Sequence, residues 1–197
     1  LVNNAGVSLN GPLELLPFSD IKMLLNVNVC GLLSVTKTFL PLIRNTKGRI
    51  INISSGHGLL AIPDKSVYAA SKFAVQAISD SLRVELKPFG VNVSNIVVGK
   101  INTNVLDKIL DDRKKMINQA VTETAKSYST QMEYFEREVK NLPGIEAVEV
   151  AKVIAQSLGD IKPKAQYLVG PGAKKMKLLA RFPQAIRDNM LYKAIYK

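Results

Sequence analysis

Two short β-branched runs, residues 49–54 and 91–98, each follow a long stretch whose apolar side chains recur every three or four positions. In residues 19–44 these are Ile21, Leu24, Leu25, Val29, Leu32, Val35 and Phe39, and in residues 66–87 they are Ala69, Phe73, Ala77, Ile78, Leu82 and Leu86. That period predicts two helices, each with one face turned to a core. Pro41 and Gly48 interrupt the first pattern, and Pro88 and Gly90 stop the second. Bounded by Gly48 and by Gly56 and Gly58, the run Arg49-Ile50-Ile51-Asn52-Ile53-Ser54 fits a strand covered on both faces. Alternating helix and strand predict an α/β fold, a doubly wound parallel sheet with right-handed crossovers. Ligands of such sheets sit outside the carboxyl ends of the strands, so functional residues are expected just after Ile53 and Val98.

The remaining chain fits one domain over residues 1–197, with 47% hydrophobic and 22% charged residues. Residues 100–142 predict polar helices with an irregular start, 145–158 a further helix, 166–169 a short strand, and 171–197 a basic tail. The single cysteine, Cys30, sits in an apolar stretch, so no internal disulfide can form and a buried position is expected. No uninterrupted apolar run approaches about 18 residues, so no span is predicted, and no signal peptide is visible. The opening Leu1-Val2-Asn3-Asn4 resembles the middle of a strand and its following loop, and upstream sequence is expected.

The formal charge of +11 is uneven: residues 160–197 hold nine Lys and Arg against Asp160 and Asp188, a net of +7. Leu178, Leu179, Phe182, Ile186, Met190 and Leu191 interleave with these bases. The pattern suits either an amphipathic helix on an anionic membrane or a solvated helix packed on its own domain. Nucleic-acid binding is not expected, because no recognisable module accompanies the charge. The expected location is cytoplasmic, or peripheral on an intracellular membrane.

Tyr68 and Lys72, four residues apart on a predicted helix, share one face. A nearby cation favours a phenolate and so makes tyrosine a usable acid–base group. Ser54 and Ser55 end the preceding strand, where a hydroxyl can hold a substrate oxygen and stabilise charge on it. Together these groups suit interconversion of an alcohol and a carbonyl. His57, the only histidine, is poorly placed to activate Ser55, two residues away, and is expected at the substrate mouth. No His, Cys, Asp and Glu cluster has metal-ligand spacing, and no metal is predicted.

In the order of these motifs the chain resembles the short-chain dehydrogenase/reductase family, over nearly its whole length. Asn3-Asn4-Ala5-Gly6 resembles the family's Asn-Asn-Ala-Gly turn, which supports the sheet and one wall of the cofactor site. Asn28 matches the asparagine whose backbone carbonyl holds a water in a proton relay. Ser55, thirteen residues before Tyr68, matches the substrate-orienting serine, and Tyr68 with Lys72 matches Tyr-x-x-x-Lys. The resemblance implies that Tyr68 is the acid–base catalyst and that Lys72 lowers its pKa and binds the nicotinamide ribose. It also implies NAD or NADP as cofactor, with contacts from Asn4, Ala5, Gly6, Tyr68, Lys72, Gly99, Ile101 and Thr103. The style of the basic tail is that of the steroid, retinol and hydroxybutyrate dehydrogenase branch, which implies a lipophilic secondary alcohol or ketone as substrate. The two long helices correspond to those that pair family members into homo-oligomers.

Two departures matter. Val98-Gly99 stands where most members have Pro-Gly, so the loop keeps its glycine and loses a fixed φ. The glycine-rich turn that receives the pyrophosphate, with the first strands and the residue that selects NAD or NADP, belongs upstream of Leu1, so the Rossmann-like sheet here lacks its first strands. A catalytically silent scaffold with this fold, on membranes through its tail, is the alternative. Within residues 100–142, Val105, Leu106, Ile109, Leu110 and Met116 are expected to form an apolar substrate lid.

Overall fold

The computed structural model describes residues 1–102, 111 and 122–197. Four parallel strands, β1 (Val2–Asn3), β2 (Arg49–Ser55), β3 (Asn92–Val98) and β4 (Gln166–Val169), form one sheet in the order β1-β2-β3-β4. β2 and β3 pair over seven residues, from Arg49 opposite Asn92 to Ser55 opposite Val98. β1 adds Val2 and Asn3 opposite Ile51 and Asn52.

Between β1 and β2 run α1 (Phe18–Leu25), a π-helical turn (Asn26–Gly31) and α2 (Leu32–Asn45). α3 (Ser66–Glu85) joins β2 to β3. α4 (Thr122–Ser127), α5 (Ser129–Asn141) and α6 (Ala147–Gly159) precede β4, and α7 (Pro171–Leu179) and α8 (Gln184–Tyr196) follow it.

Side chains alternate across the strands, so each face of the sheet collects its own core. Ile51, Ile53, Ile96, Val98, Tyr167 and Val169 face α6 and pack on Val150, Val153 and Ile154. Ile50 and Val93 face the other way, onto Ile43 of α2 and Leu82 and Leu86 near the end of α3. A third group, Leu16, Leu24 and Val67 with Val7, Leu9, Ile21 and Tyr68, joins α1 to the start of α3. Helices on both faces are the doubly wound arrangement that the sequence predicts.

One expectation, for Cys30, is corrected, and two features refine the sequence reading. Pro41 lies inside α2, within the helix read over residues 19–44; it sits on the exposed side, where the carbonyl its ring leaves without a donor can meet water. Cys30 is exposed, because the inward positions of this helical stretch are Leu24, Asn28, Leu32, Thr36 and Ile43, and Cys30 falls on the opposite side. Phe18–Asn45 is long and apolar enough to cross a membrane by length and composition, although no unbroken apolar run marks it in the sequence. Its inward residues are nonetheless buried against the sheet and α3, which makes it a layer of the α/β fold.

The basic tail folds as α7 and α8. Ile195 is buried, and the Tyr196 hydroxyl donates to Gln131 Oε1 at 3.1 Å, so α8 packs on α5 of its own domain. Apolar and basic residues of α8 are not segregated to opposite faces, which departs from the amphipathic pattern considered above.

The α6-side core generates a stability expectation. Ile96→Ala, at a fully buried position, should cost about 2–5 kcal/mol. Urea denaturation of the native protein carrying this chain measures it.

Candidate active site

β2 ends at Ser55, whose Oγ accepts the backbone N–H of His57 at 3.2 Å and turns the chain into a short 3₁₀ turn, Gly56–Gly58. The turn lies hard against α3. A Cβ on Gly58 would stand 2.7 Å from the Lys72 carbonyl oxygen and 2.9 Å from Ser54 Oγ, so only glycine permits this approach.

From α3, Tyr68 and Lys72 project toward this strand end. The Ser55 hydroxyl lies near enough to the Tyr68 phenol to favour its ionised form. Lys72, buried, donates from Nζ to the Ile53 carbonyl at 3.0 Å, and Nζ stands 5.8 Å from the centre of the Tyr68 ring. Burial pushes the Lys72 pKa down to about 8. Burial also pushes the Tyr68 phenol up, opposed by the nearby Ser55 hydroxyl.

Asn28 lies within the π-helical turn, a local widening that often marks functional positions. Its side chain clamps the loop after β1: Oδ1 accepts Val7 N–H at 2.8 Å and Nδ2 donates to Val7 O at 2.9 Å. Nδ2 also donates to Ser71 Oγ at 3.1 Å, and Ser71 Oγ donates to the Tyr68 carbonyl at 2.7 Å. The clamp brings Gly6 beside the site, where a Cβ would lie 3.3 Å from Asn28 Oδ1 and 3.6 Å from Lys72 Nζ.

With this geometry in view, the model of the short chain dehydrogenase family matches residues 1–114. The chain belongs to the short-chain dehydrogenase family. A 3-amino-tetrahydro-pyrrolizinone reductase of Xenorhabdus hominickii is 40% identical over 88% of this chain and 62% of its own length. Retinol dehydrogenase 7 of Rattus norvegicus is 34% identical over 98% of this chain and 63% of its own. A short chain dehydrogenase of Burkholderia cenocepacia, solved in complex with NADP, superposes with a TM-score of 0.72 at 25% identity, over 97% of this chain and 68% of that one. The chain thus spans about three fifths of the length of these curated relatives.

Of the residues that family resemblance singles out, Asn28, Ser55, Tyr68, Lys72 and Gly6 gather at one end of β2. Asn4 and Ala5 are exposed in the same loop as Gly6. Gly99 follows β3 and packs against α7, where a Cβ would stand 3.1 Å from Ala173 N. Ile101 turns its side chain into the α6-side core and bridges to Ile145. Thr103 and the lid candidates Val105, Leu106, Ile109, Leu110 and Met116 lie outside the described residues. Among the described residues no group of His, Cys, Asp and Glu could hold a metal ion.

Lys65 and Phe135, which no motif marks, join His57 around Tyr68. Lys65, one helical turn before Tyr68, hydrogen-bonds Asn10; its Nζ lies 5.7 Å from the Tyr68 ring centre and 4.8 Å from that of Phe135. The i, i+3 spacing of Lys65 and Tyr68 was the available signal. His57 meets Tyr68 edge-on, with ring centres 5.8 Å apart at 74°. Burial, helped by the Lys65 charge, lowers its pKa to about 3.

His57 is thus neutral in the fold and is protonated on unfolding when the pH lies between about 3 and 6.5. Its contribution to stability is complete above the unfolded value and is lost as pH falls through this window. Urea midpoints of the native protein measured from pH 7 to pH 4 should decline, and His57→Gln should flatten that decline by up to about one proton.

Proposed function

We propose that this chain carries the proton-transfer machinery of an NAD- or NADP-dependent oxidoreductase that interconverts an alcohol and its carbonyl. The observation that carries the proposal is the convergence of Ser55 and Tyr68 at the carboxyl end of β2, with buried Lys72 one helical turn on, its Nζ 5.8 Å from the Tyr68 ring centre and 3.0 Å from the Ile53 carbonyl. In the oxidative direction Tyr68 takes the hydroxyl proton of the substrate, and in the reductive direction it returns one to the carbonyl oxygen. Ser55 holds that oxygen and stabilises its charge as it changes. A bound nicotinamide supplies the acceptor or donor of the hydride.

Lys72, whose pKa near 8 leaves it largely protonated at neutral pH, would hold the nicotinamide ribose and feed protons toward Tyr68. Asn28 would pass that proton path to solvent through its backbone carbonyl. Asn4, Ala5, Gly6, Gly99, Ile101 and Thr103 would line the cofactor. Without a side chain, Gly6 leaves its backbone free to approach a bound group beside Lys72 Nζ, and the NADP held by the Burkholderia relative supports a nicotinamide cofactor.

A lipophilic secondary alcohol or ketone is the proposed substrate class. Support comes from the apolar setting of Tyr68, which packs with Leu16, Leu24 and Val67, and from the retinol dehydrogenase relative. A homo-oligomer is supported by the exposed Phe18, Met23, Leu33, Phe39 and Leu42 of α1 and α2, with Phe73 and Val84 of α3. Peripheral contact with an anionic membrane is supported by exposed Leu178 and Phe182 beside the bases of α7, α8 itself lacking a segregated apolar face, and a cytoplasmic or membrane-surface location is proposed with it.

Tyr68→Phe should lower kcat by about 10²–10⁴-fold in the native protein while substrate and cofactor still bind. Nicotinamide absorbance follows the reaction against a panel of lipophilic secondary alcohols and ketones. Full turnover by Tyr68→Phe would remove the proposed role of Tyr68.

A further inference from the structure

Between the sheet and α3 lies a continuous chain of buried side-chain hydrogen bonds that the catalytic proposal does not use. Asn3, Asn52 and Asn95 stand opposite one another on β1, β2 and β3. Asn3 Nδ2 donates to Thr36 Oγ1 at 2.9 Å and to Asn52 Oδ1 at 2.8 Å. Asn52 Nδ2 donates to Ser79 Oγ at 2.7 Å, and Ser79 Oγ lies 2.7 Å from both Asn95 Oδ1 and Val75 O, either of which can take its proton. Asn95 Nδ2 donates to Gln76 Oε1 at 2.7 Å, and Gln76 Nε2 reaches Ser54 Oγ at 3.4 Å. With the Ser79 proton on Asn95, the side-chain bonds from Asn3 to Ser54 run in one direction, and Asn52, Ser79 and Asn95 are 0–1% exposed.

Such a network is an unusual filling for a sheet–helix interface, where apolar packing would serve stability as well. Apolar packing is non-directional, however, and tolerates small slides of a helix along a sheet. Hydrogen bonds weaken steeply with distance and angle, and a buried group that loses its partner costs about 1–3 kcal/mol. A helix pinned at Ser79 and Gln76 is therefore held in one axial and rotational setting. Ser79 lies two turns beyond Lys72 on the same helix, and Gln76 one turn beyond it. At the other end of the chain, Ser54 is the immediate neighbour of Ser55.

We propose that Asn52, Ser79, Asn95 and Gln76 are positioning residues that fix the register of α3 on β2 and so hold Tyr68 on Ser55. The proposal rests on the assignment of Tyr68 as the proton-transfer group. It is distinct from the clamp of Asn28 on the β1 loop, which acts at the other end of the helix.

The test compares Ser79→Ala, which removes the hydroxyl at the node, with Ser79→Thr, which keeps it, in the native protein. Ser79→Ala should lower kcat at least about tenfold, with KM near that of the parent, because small misplacement of a reacting group is costly. The ionisation of Tyr68 in the kcat–pH profile should move upward as the Ser55 hydroxyl, which opposes the effect of burial, is displaced from it, and Ser79→Thr should restore both. If Ser79→Ala does not fold, Gln76→Leu, at the partly buried end of the chain, should give the same signature. A variant that melts earlier yet keeps kcat and the pH profile overturns the proposal and leaves the network as a fastening alone. Tyr68→Phe measured in parallel separates the two ideas. Full activity in Tyr68→Phe removes the catalytic assignment and the positioning role with it, whereas an inactive Tyr68→Phe beside an unimpaired Ser79→Ala removes only the positioning role.

Discussion

The parallel pairing of β2 with β3 runs seven residues without a break, from Arg49 opposite Asn92 to Ser55 opposite Val98. Because side chains alternate, this one register decides which residues face α6 and which face α2 and α3; a slip of one residue would exchange the two cores. It also brings Ser55 and Val98 level at the carboxyl edge, where both strands release the chain into loops. α3 can lie across this edge only because Gly58 lets the loop after β2 touch its backbone. The placement of Tyr68 and Lys72 beside Ser55 is thus a consequence of strand register first and of helix packing second.

Burial acts on the three ionisable groups of this region in one sense, toward the neutral form. The Tyr68 phenol is pushed up, and Lys72 and His57 are pushed down. A low-dielectric setting penalises any isolated charge, so fixed polar groups such as the Ser55 hydroxyl and the Ile53 carbonyl carry weight they would not have in water. The Lys72 ammonium is held by a backbone carbonyl of β2 and stands 5.8 Å from the centre of the Tyr68 ring.

Much of the fold was legible because period and punctuation agree. Residues 49–54, 91–98 and 166–169 emerge as strands, and the helix read over 66–87 is found at Ser66–Glu85. Local rules failed where context outweighs them. Pro41 is tolerated because its side of α2 faces water, and the exposure of Cys30 depends on which helical face meets the sheet. The gathering of Asn28, Ser55, Tyr68, Lys72 and Gly6 was legible only through the ordered motifs, since each spacing alone is common. The asparagines of β2 and β3 left a readable mark that went unused. Asn52 and Asn95 are poor strand formers set among isoleucine and valine, and such residues in a covered strand imply partners from another element. Which partners they find is a matter of tertiary packing, and neither Ser79 nor Gln76 advertises it.

The segment between β3 and α6 leaves and rejoins the sheet at nearly one point. Asn102 N–H donates to Ile145 O, Ile145 N–H donates to Lys100 O, and Lys100 Nζ reaches Leu142 O. A long insertion closed at its base in this way costs the parent fold little more than its loop-closure entropy, which grows only slowly with length. Among the described residues of this segment, α5 touches α8 and Asp64, the Phe135 ring centre lies 4.8 Å from Lys65 Nζ, and the Tyr128 hydroxyl donates to Glu14 Oε2, so a change there is transmitted to the residues around Tyr68.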